Sequence, residues 1–115
     1  ALNNSILKAE YKPDGTLLNL NSIYIDIFGY SKLEFQNQNV FSQIERTKET
    51  VFRSLWDKAL SGEQFSYLHQ LTTKAGKQKV IYGIYKAVYD YDGFVDKIIF
   101  AGLDISNYYL KTDIQ

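Results

Sequence analysis

Few side chains in this chain can do chemistry, and their types narrow what that chemistry could be. The 115 residues include one histidine, His69, one tryptophan, Trp56, and no cysteine. Without a thiol there is no disulfide, no thiolate metal site and no cysteine nucleophile. A single histidine makes no His-rich metal cluster and, alone, no acid–base constellation. What remains is aromatic: 10 Tyr and 7 Phe join Trp56, bringing aromatics to 16% of the chain. Tyr67, His69 and Tyr85 carry polar tips on flat apolar bodies, and a few such tips in an apolar cavity are the usual make-up of a small-molecule site. The same residues serve equally well as a closed core. His69 is either a pH-sensitive partner for a polar ligand or a structural histidine bonded to backbone or to a neighbouring tyrosine, the simpler role. Arg46 and Arg53 fall on loop and helix surfaces, so a carboxylate ligand would lack its best partner.

The surrounding composition is that of one folded domain. Length admits a single core, and 45% of residues are hydrophobic. Lys and Arg number 13, Asp and Glu 13, so the formal net charge is zero. A protein that neutralises phosphates carries a basic excess, so a nucleic-acid partner is not expected, nor is an anionic membrane surface. No apolar run approaches a membrane span. The chain contains no Met and starts at Ala1, which reads as a domain of a longer protein. A cytoplasmic location is expected, although the absence of cysteine does not by itself fix the compartment.

The elements that must position these residues are marked by turn residues. Residues 6–12, Pro13-Asp14-Gly15 and residues 17–20 read as a β-hairpin, with Asp-Gly supplying the positive φ of a tight turn. Asn21 is a good N-cap for a short helix over 22–28, with Ile23, Ile27 and Phe28 on one side and Gly29 closing it. Ser31 and Glu34 form an S-x-x-E capping box for another. A longer helix is expected over 48–60, with Val51, Phe52, Leu55 and Ala59 at helical spacing. Phe65, Tyr67, His69 and Leu71 then alternate with polar positions. The turns Lys74-Ala75-Gly76-Lys77 and Asp90-Tyr91-Asp92-Gly93 separate strands over 78–89 and 94–103. Turns this short join antiparallel neighbours, so the last three strands form a meander. The order β-β, helices, β-β-β describes an α+β domain with its helices gathered on one face of the sheet.

In this order the motifs resemble a PAS domain over nearly the whole chain. The resemblance rests on Asp14-Gly15 followed by Leu17-Leu18-Asn19-Leu20-Asn21; on Phe28-Gly29-Tyr30-Ser31 with Glu34; on Trp56 with Gly62-Glu63-Gln64-Phe65; and on the two later turns, ending at Asp104-Ile105-Ser106. The stretch from 85 to 104 is similar to bacterial PAS domains of chemoreceptors, sensor kinases and diguanylate cyclases. The resemblance implies a five-stranded antiparallel sheet with helices over one face, spanning 6–106. Residues 1–5 would then be the remnant of an N-terminal flanking helix, and 107–115 the start of a C-terminal signalling linker. It implies a sensor that relays a small ligand or redox state to an output domain on the same chain, and no catalytic residue. A ligand-free dimerisation domain is the alternative, with a small α+β enzyme behind it.

Strand alternation and the family's turns place Phe41, Phe52, Trp56, Tyr67, His69, Ile81, Tyr85 and Phe100 around the pocket. Light-oxygen-voltage photochemistry needs a cysteine, and the amides that read the flavin edge in that subfamily match Leu71, Ile81 and Gly102 here, so that branch is set aside. A redox-sensing flavin stacked on Trp56 and the tyrosines stays open, although a core or rim position for Trp56 is the simpler one. Haem needs an axial ligand, which in this family comes from the helical side, where the chain has no histidine; haem is not expected. The cofactor is otherwise left unknown. On the opposite sheet face Leu68, Tyr82, Ile84, Val88, Ile99, Ala101 and Leu103 alternate outward. Such a face would not be left in water, so a homodimer burying Tyr82, Ile84, Ile99 and Leu103 is expected. Asp104 and Ser106 resemble the family's D-x-T ending, which couples the last strand to the output helix.

Overall fold

The computed structural model describes residues 6–109. The expected flanking remnant at 1–5 and the later part of the expected linker, 110–115, lie outside the described residues.

Strands β1 (Ile6–Tyr11) and β2 (Leu17–Leu20) open the chain, followed by helices α1 (Ser22–Phe28) and α2 (Lys32–Phe35). Two 3₁₀ turns, Val40–Gln43 and Arg46–Lys48, lead into α3 (Glu49–Leu60). Strands β3 (Phe65–Thr72), β4 (Gln78–Tyr89) and β5 (Val95–Asp104) follow, then the short helix α4 (Ser106–Tyr109). The five strands form one antiparallel sheet in the order β2-β1-β5-β4-β3. Among the described residues no helix is long and apolar enough to cross a membrane.

Local chemistry accounts for the boundaries. All three hairpins use one device. Lys12 N–H donates to the Thr16 carbonyl, Thr73 to Lys77 and Asp90 to Phe94, each at 2.8 Å. The glycine one residue before each closing residue takes positive φ: Gly15 at 94°, Gly76 at 88° and Gly93 at 87°. Each is therefore a three-residue loop ending in a left-handed glycine, one residue longer than the tightest hairpin turn. At Gly15 space is as decisive as φ, because a Cβ would meet the Phe41 ring at 2.8 Å.

Asn21 caps α1 by accepting from Tyr24 N–H at 3.1 Å. The same carboxamide accepts from Lys8 N–H at 3.1 Å and donates to the Ile6 carbonyl at 2.8 Å, tying the helix start to β1. Gly29, left-handed at φ 78°, closes α1. The Ser31–Glu34 capping box forms with both of its bonds, at 2.8 and 3.1 Å.

Helix α3 departs from expectation at one position. Its buried stripe is Phe52, Trp56 and Ala59, the i, i+4, i+7 spacing of one helical face. Val51 stands one residue off that stripe and is 62% exposed. In α1 the buried residues are Tyr24 and Phe28, one turn apart, while Ile23 and Ile27 are half-buried. The inner sheet face carries Leu7, Ala9, Tyr11, Phe65, His69, Ile81, Tyr85, Ala87, Ile98 and Phe100, all buried. That is the strand phase expected from alternation.

Candidate functional site

The rings on the inner sheet face meet the rings of α3 and its preceding turn. Phe65 stacks on Tyr85 at 4.8 Å with 14° between planes. Tyr85 in turn packs on Phe100 at 4.8 Å, and Phe52 meets Tyr67 edge-on at 5.0 Å. Trp56 lies edge-on to Phe41 at 5.5 Å and to Tyr85 at 5.8 Å, and its indole N–H donates to the Pro13 carbonyl at 2.8 Å. Such edge-to-face and offset pairs each add about 0.5–1.5 kcal/mol beyond area burial. The ring of Phe100 lies across Gly83 and Gly102, which face each other in register on β4 and β5. A Cβ at Gly102 would sit 2.6 Å from that ring. These two glycines make room rather than turns. The eight residues expected around the pocket thus come together as one contiguous cluster between α3 and the sheet, seven of them through their rings and Ile81 within the same core. Phe52, Trp56, His69, Ile81, Tyr85 and Phe100 are buried, Phe41 and Tyr67 half-buried.

His69 is bonded to a neighbouring tyrosine: its Nε2 and the Tyr85 hydroxyl share a hydrogen bond of 2.6 Å. Burial pushes the imidazole down from 6.5 to about 4, so it is neutral at physiological pH. Burial also pushes the Tyr85 and Tyr11 hydroxyls well above their usual value. Tyr67 and His69 border an opening of about 240 Å³ that also includes Tyr109 of α4.

A second space adjoins the first, with Gln43 lining both: α1, α2, the first 3₁₀ turn and the end of β3 frame a cleft of about 530 Å³. Its floor is aromatic, with Tyr24 against Phe28 at 5.2 Å and edge-on to Phe35 at 5.7 Å. Its rim carries the amides of Gln38 and Gln43. The frame is held from both sides. Leu17 N–H donates to the Gln38 carbonyl and Val40 N–H to the Gly15 carbonyl, both at 2.8 Å. On the other side Lys74 N–H donates to the Phe28 carbonyl at 2.9 Å, and the Lys74 ammonium pairs with Glu34 at 2.9 Å. None of the eight residues expected at the pocket lines this cleft. Tyr24, Phe35, Gln38 and Gln43 went unremarked in the sequence. The signal within reach was Tyr24 and Phe28, one turn apart beneath the Asn21 cap.

At the end of β5 four residues form a bonded node. Asp104 Oδ1 accepts from Ser106 N–H at 3.0 Å and from the Ser106 hydroxyl at 2.5 Å. Asp104 Oδ2 pairs with the Lys79 ammonium at 3.0 Å. The Ser106 hydroxyl also accepts from Val80 N–H at 2.8 Å. Burial raises the Asp104 carboxyl, but the Ser106 bonds and Lys79 outweigh it, leaving a net lowered pKa. The node joins β4, β5 and α4.

No protein-family model matches the chain. A PAS domain of a protein from Colwellia psychrerythraea superposes with a TM-score of 0.76 at 16% identity, covering 89% of this chain and 87% of that one. The chain has the PAS fold. A domain of a sensory box sensor histidine kinase/response regulator from Geobacter sulfurreducens shares it, with a TM-score of 0.70 at 18% identity over 86% of this chain and 82% of that one. In sequence, the chain is similar to the biofilm dispersion protein BdlA of Pseudomonas aeruginosa, 25% identical over 112 residues. That match covers 91% of this chain and 26% of BdlA, so the chain spans about a quarter of the length of that curated relative.

On this PAS sheet the outer face is apolar and open. Tyr82 is 44% and Ile84 43% exposed. Ile99 and Leu103 beside them are half-buried. Tyr82 pairs with Leu103, and Ile84 with Ala101, across the β4–β5 ladder.

Proposed function

We propose that this chain is the sensory input module of a larger signalling protein. It would bind a small molecule beside its sheet and pass the change to an output domain on the same chain, as a homodimer, and in the cytoplasm. The observation that carries this reading is the node at the end of β5. Phe100 and Asp104 lie on one strand, and Asp104 caps the first turn of α4. Tyr24 in the cleft contacts Phe100 edge-on at 6.5 Å. A ligand that moves Tyr24 therefore bears on β5, and a shift of β5 by a fraction of an ångström re-aims α4. Differential affinity for two positions of that strand would be enough to shift the population. The likeness to BdlA and to a sensor histidine kinase domain supports the signalling role. The function proposed is binding and relay, with no group assigned to catalysis.

The test is Asp104→Asn in the full-length protein. It keeps the shape of the side chain and weakens its bonds to Lys79 and Ser106. The output should lose its response to the stimulus while the module keeps its fold and binds as before. An output that responds as in the wild type would overturn the relay.

The packed rings favour a second reading: a ligand-free domain that dimerises and aligns its output partners. Absorption spectroscopy of freshly purified protein, followed by mass spectrometry of what denaturation releases, separates the two. A flavin spectrum or a stoichiometric metabolite supports sensing.

A further inference from the structure

The cleft of about 530 Å³ is built for a particular chemistry. Resting on the reading that this module senses a small molecule, we infer that the cleft takes an uncharged, flat nitrogen heterocycle of the nucleobase type, with adenine its simplest representative. Three observations point there. The floor is aromatic: Tyr24, Phe28 and Phe35 form one ring group, with Tyr30 edge-on to Phe35 at 5.6 Å at its margin. A flat π-system gains from such a floor whatever its sequence of atoms.

The rim is carboxamide. Gln43 donates to the Tyr24 hydroxyl at 3.2 Å, and its amide oxygen takes no bond among the described residues. Gln38 donates to the Glu34 carbonyl and accepts from the Ser42 hydroxyl, both at 3.5 Å. Those lengths are the outer limit of a hydrogen bond, so this exposed amide can turn to a ligand at little cost. A carboxamide presents a donor and an acceptor side by side. That is the complement of the donor–acceptor pair on an adenine edge, which glutamine reads in the same bidentate way elsewhere.

The charge is wrong for an anion. Glu34 is the one ionised side chain among the lining residues. The nearby cation, Lys74, is already committed to it through bonds of 3.0 and 2.9 Å. Bonding to Ser31 N–H, then to Lys74, holds the Glu34 carboxyl below its usual value, so it is ionised at neutral pH. A carboxylate or phosphate entering here would face that charge without a free partner. The base itself, or its nucleoside, fits the site, and the nucleotide does not. The volume lies within the range of small-ligand pockets.

The experiment is isothermal titration and thermal shift on the 115-residue chain with four probes: adenine, adenosine monophosphate, benzoate and glucose. Adenine should bind one to one and raise the melting temperature. The monophosphate should bind at least tenfold more weakly, and benzoate and glucose should not bind. Gln43→Leu should weaken adenine at least tenfold. Gln38→Ala, at an exposed position that leaves the fold intact, should weaken it several-fold. Failure of adenine to bind overturns the inference. If benzoate or glucose binds instead, and Gln43→Leu weakens it, the cleft remains the sensory site and only the ligand class falls. A monophosphate as tight as adenine would overturn the argument from charge.

Discussion

His69 and the Gly83–Gly102 pair set the strictest conditions on this molecule. The imidazole titrates at about 4 in the folded chain against 6.5 when free. The unfolded chain therefore takes up its proton first as pH falls. The stabilising contribution is complete above pH 6.5 and is lost as pH falls from 6.5 to 4, amounting to about 3 kcal/mol at about 1.4 kcal/mol per pKa unit. Asp14, Glu34 and Asp104 also have lowered pKa values and shed stability in acid, so wild type alone does not isolate the histidine. His69→Phe should: denaturant melts at pH 7 and pH 4.5 should show a smaller acid loss in the variant, by about 2 kcal/mol or more. Equal losses would show that the imidazole titrates normally. Gly83 faces the opposite test. A methyl there collides with the Phe100 ring, and overpacking of a filled core costs about 1–3 kcal/mol. Gly83→Ala should lower stability by that amount, and Phe100→Leu in the same chain should recover part of it. An additive double mutant would mean that the ring does not lie on that glycine.

At the scale of elements, legibility followed locality. The hairpins, the Asn21 cap, the Ser31–Glu34 box and the Gly29 stop are each written within a few adjacent residues, and each forms at the expected position. Strand phase was readable for the same reason: short loops pin the register, and period-two alternation then assigns every side chain to a face. The loops are of three residues because only the glycine, and not the residue before it (Asp14, Ala75 or Asp92), takes positive φ. Val51 misled because a helix stripe one residue wide of the seam differs little in pattern. The cleft was not legible. Apart from Leu71 and Thr72 at the end of β3, its walls come from residues 24–43, where two short helices and a 3₁₀ turn carry no sustained period, and a void depends on how volumes fit. Alternation could likewise say which rings face inward, but not whether they would leave room. Asn21 shows how one local residue acts across elements. Its carboxamide caps α1 and bonds Lys8 and Ile6 of β1. Asn21→Ala should cost more than an ordinary cap, which is worth about 0.5–2 kcal/mol, while Asn21→Ser should recover only the cap. Thermal denaturation of both variants checks this. A loss within the ordinary range for the alanine would mean that the β1 bonds add nothing.

For the whole molecule the decisive quantity is the outer sheet face. A protein of this size seldom leaves a contiguous apolar sheet face in water. Here Tyr82 and Ile84 stand nearly half exposed beside Ile99 and Leu103. The formal net charge is zero, so two copies approach without long-range repulsion. A β-sheet face joined to its own copy buries the same residues on both partners, the isologous arrangement of a two-fold dimer. Ile99 sits between Lys86 of β4 and Glu10 of β1. An aspartate at 99 can pair with the lysine within one copy, while Glu10 stays paired with Lys97 at 3.0 Å, so the like charge across the ladder is partly offset and the monomer stays folded. In the dimer the same carboxylate would be carried into an apolar seam, where an unpaired charge costs several kcal/mol. Ile99→Asp should therefore convert dimer to monomer by light scattering, with little change in the helix and strand signals of the circular dichroism spectrum. If the wild type is itself monomeric at high concentration, the proposed face does not hold two copies together.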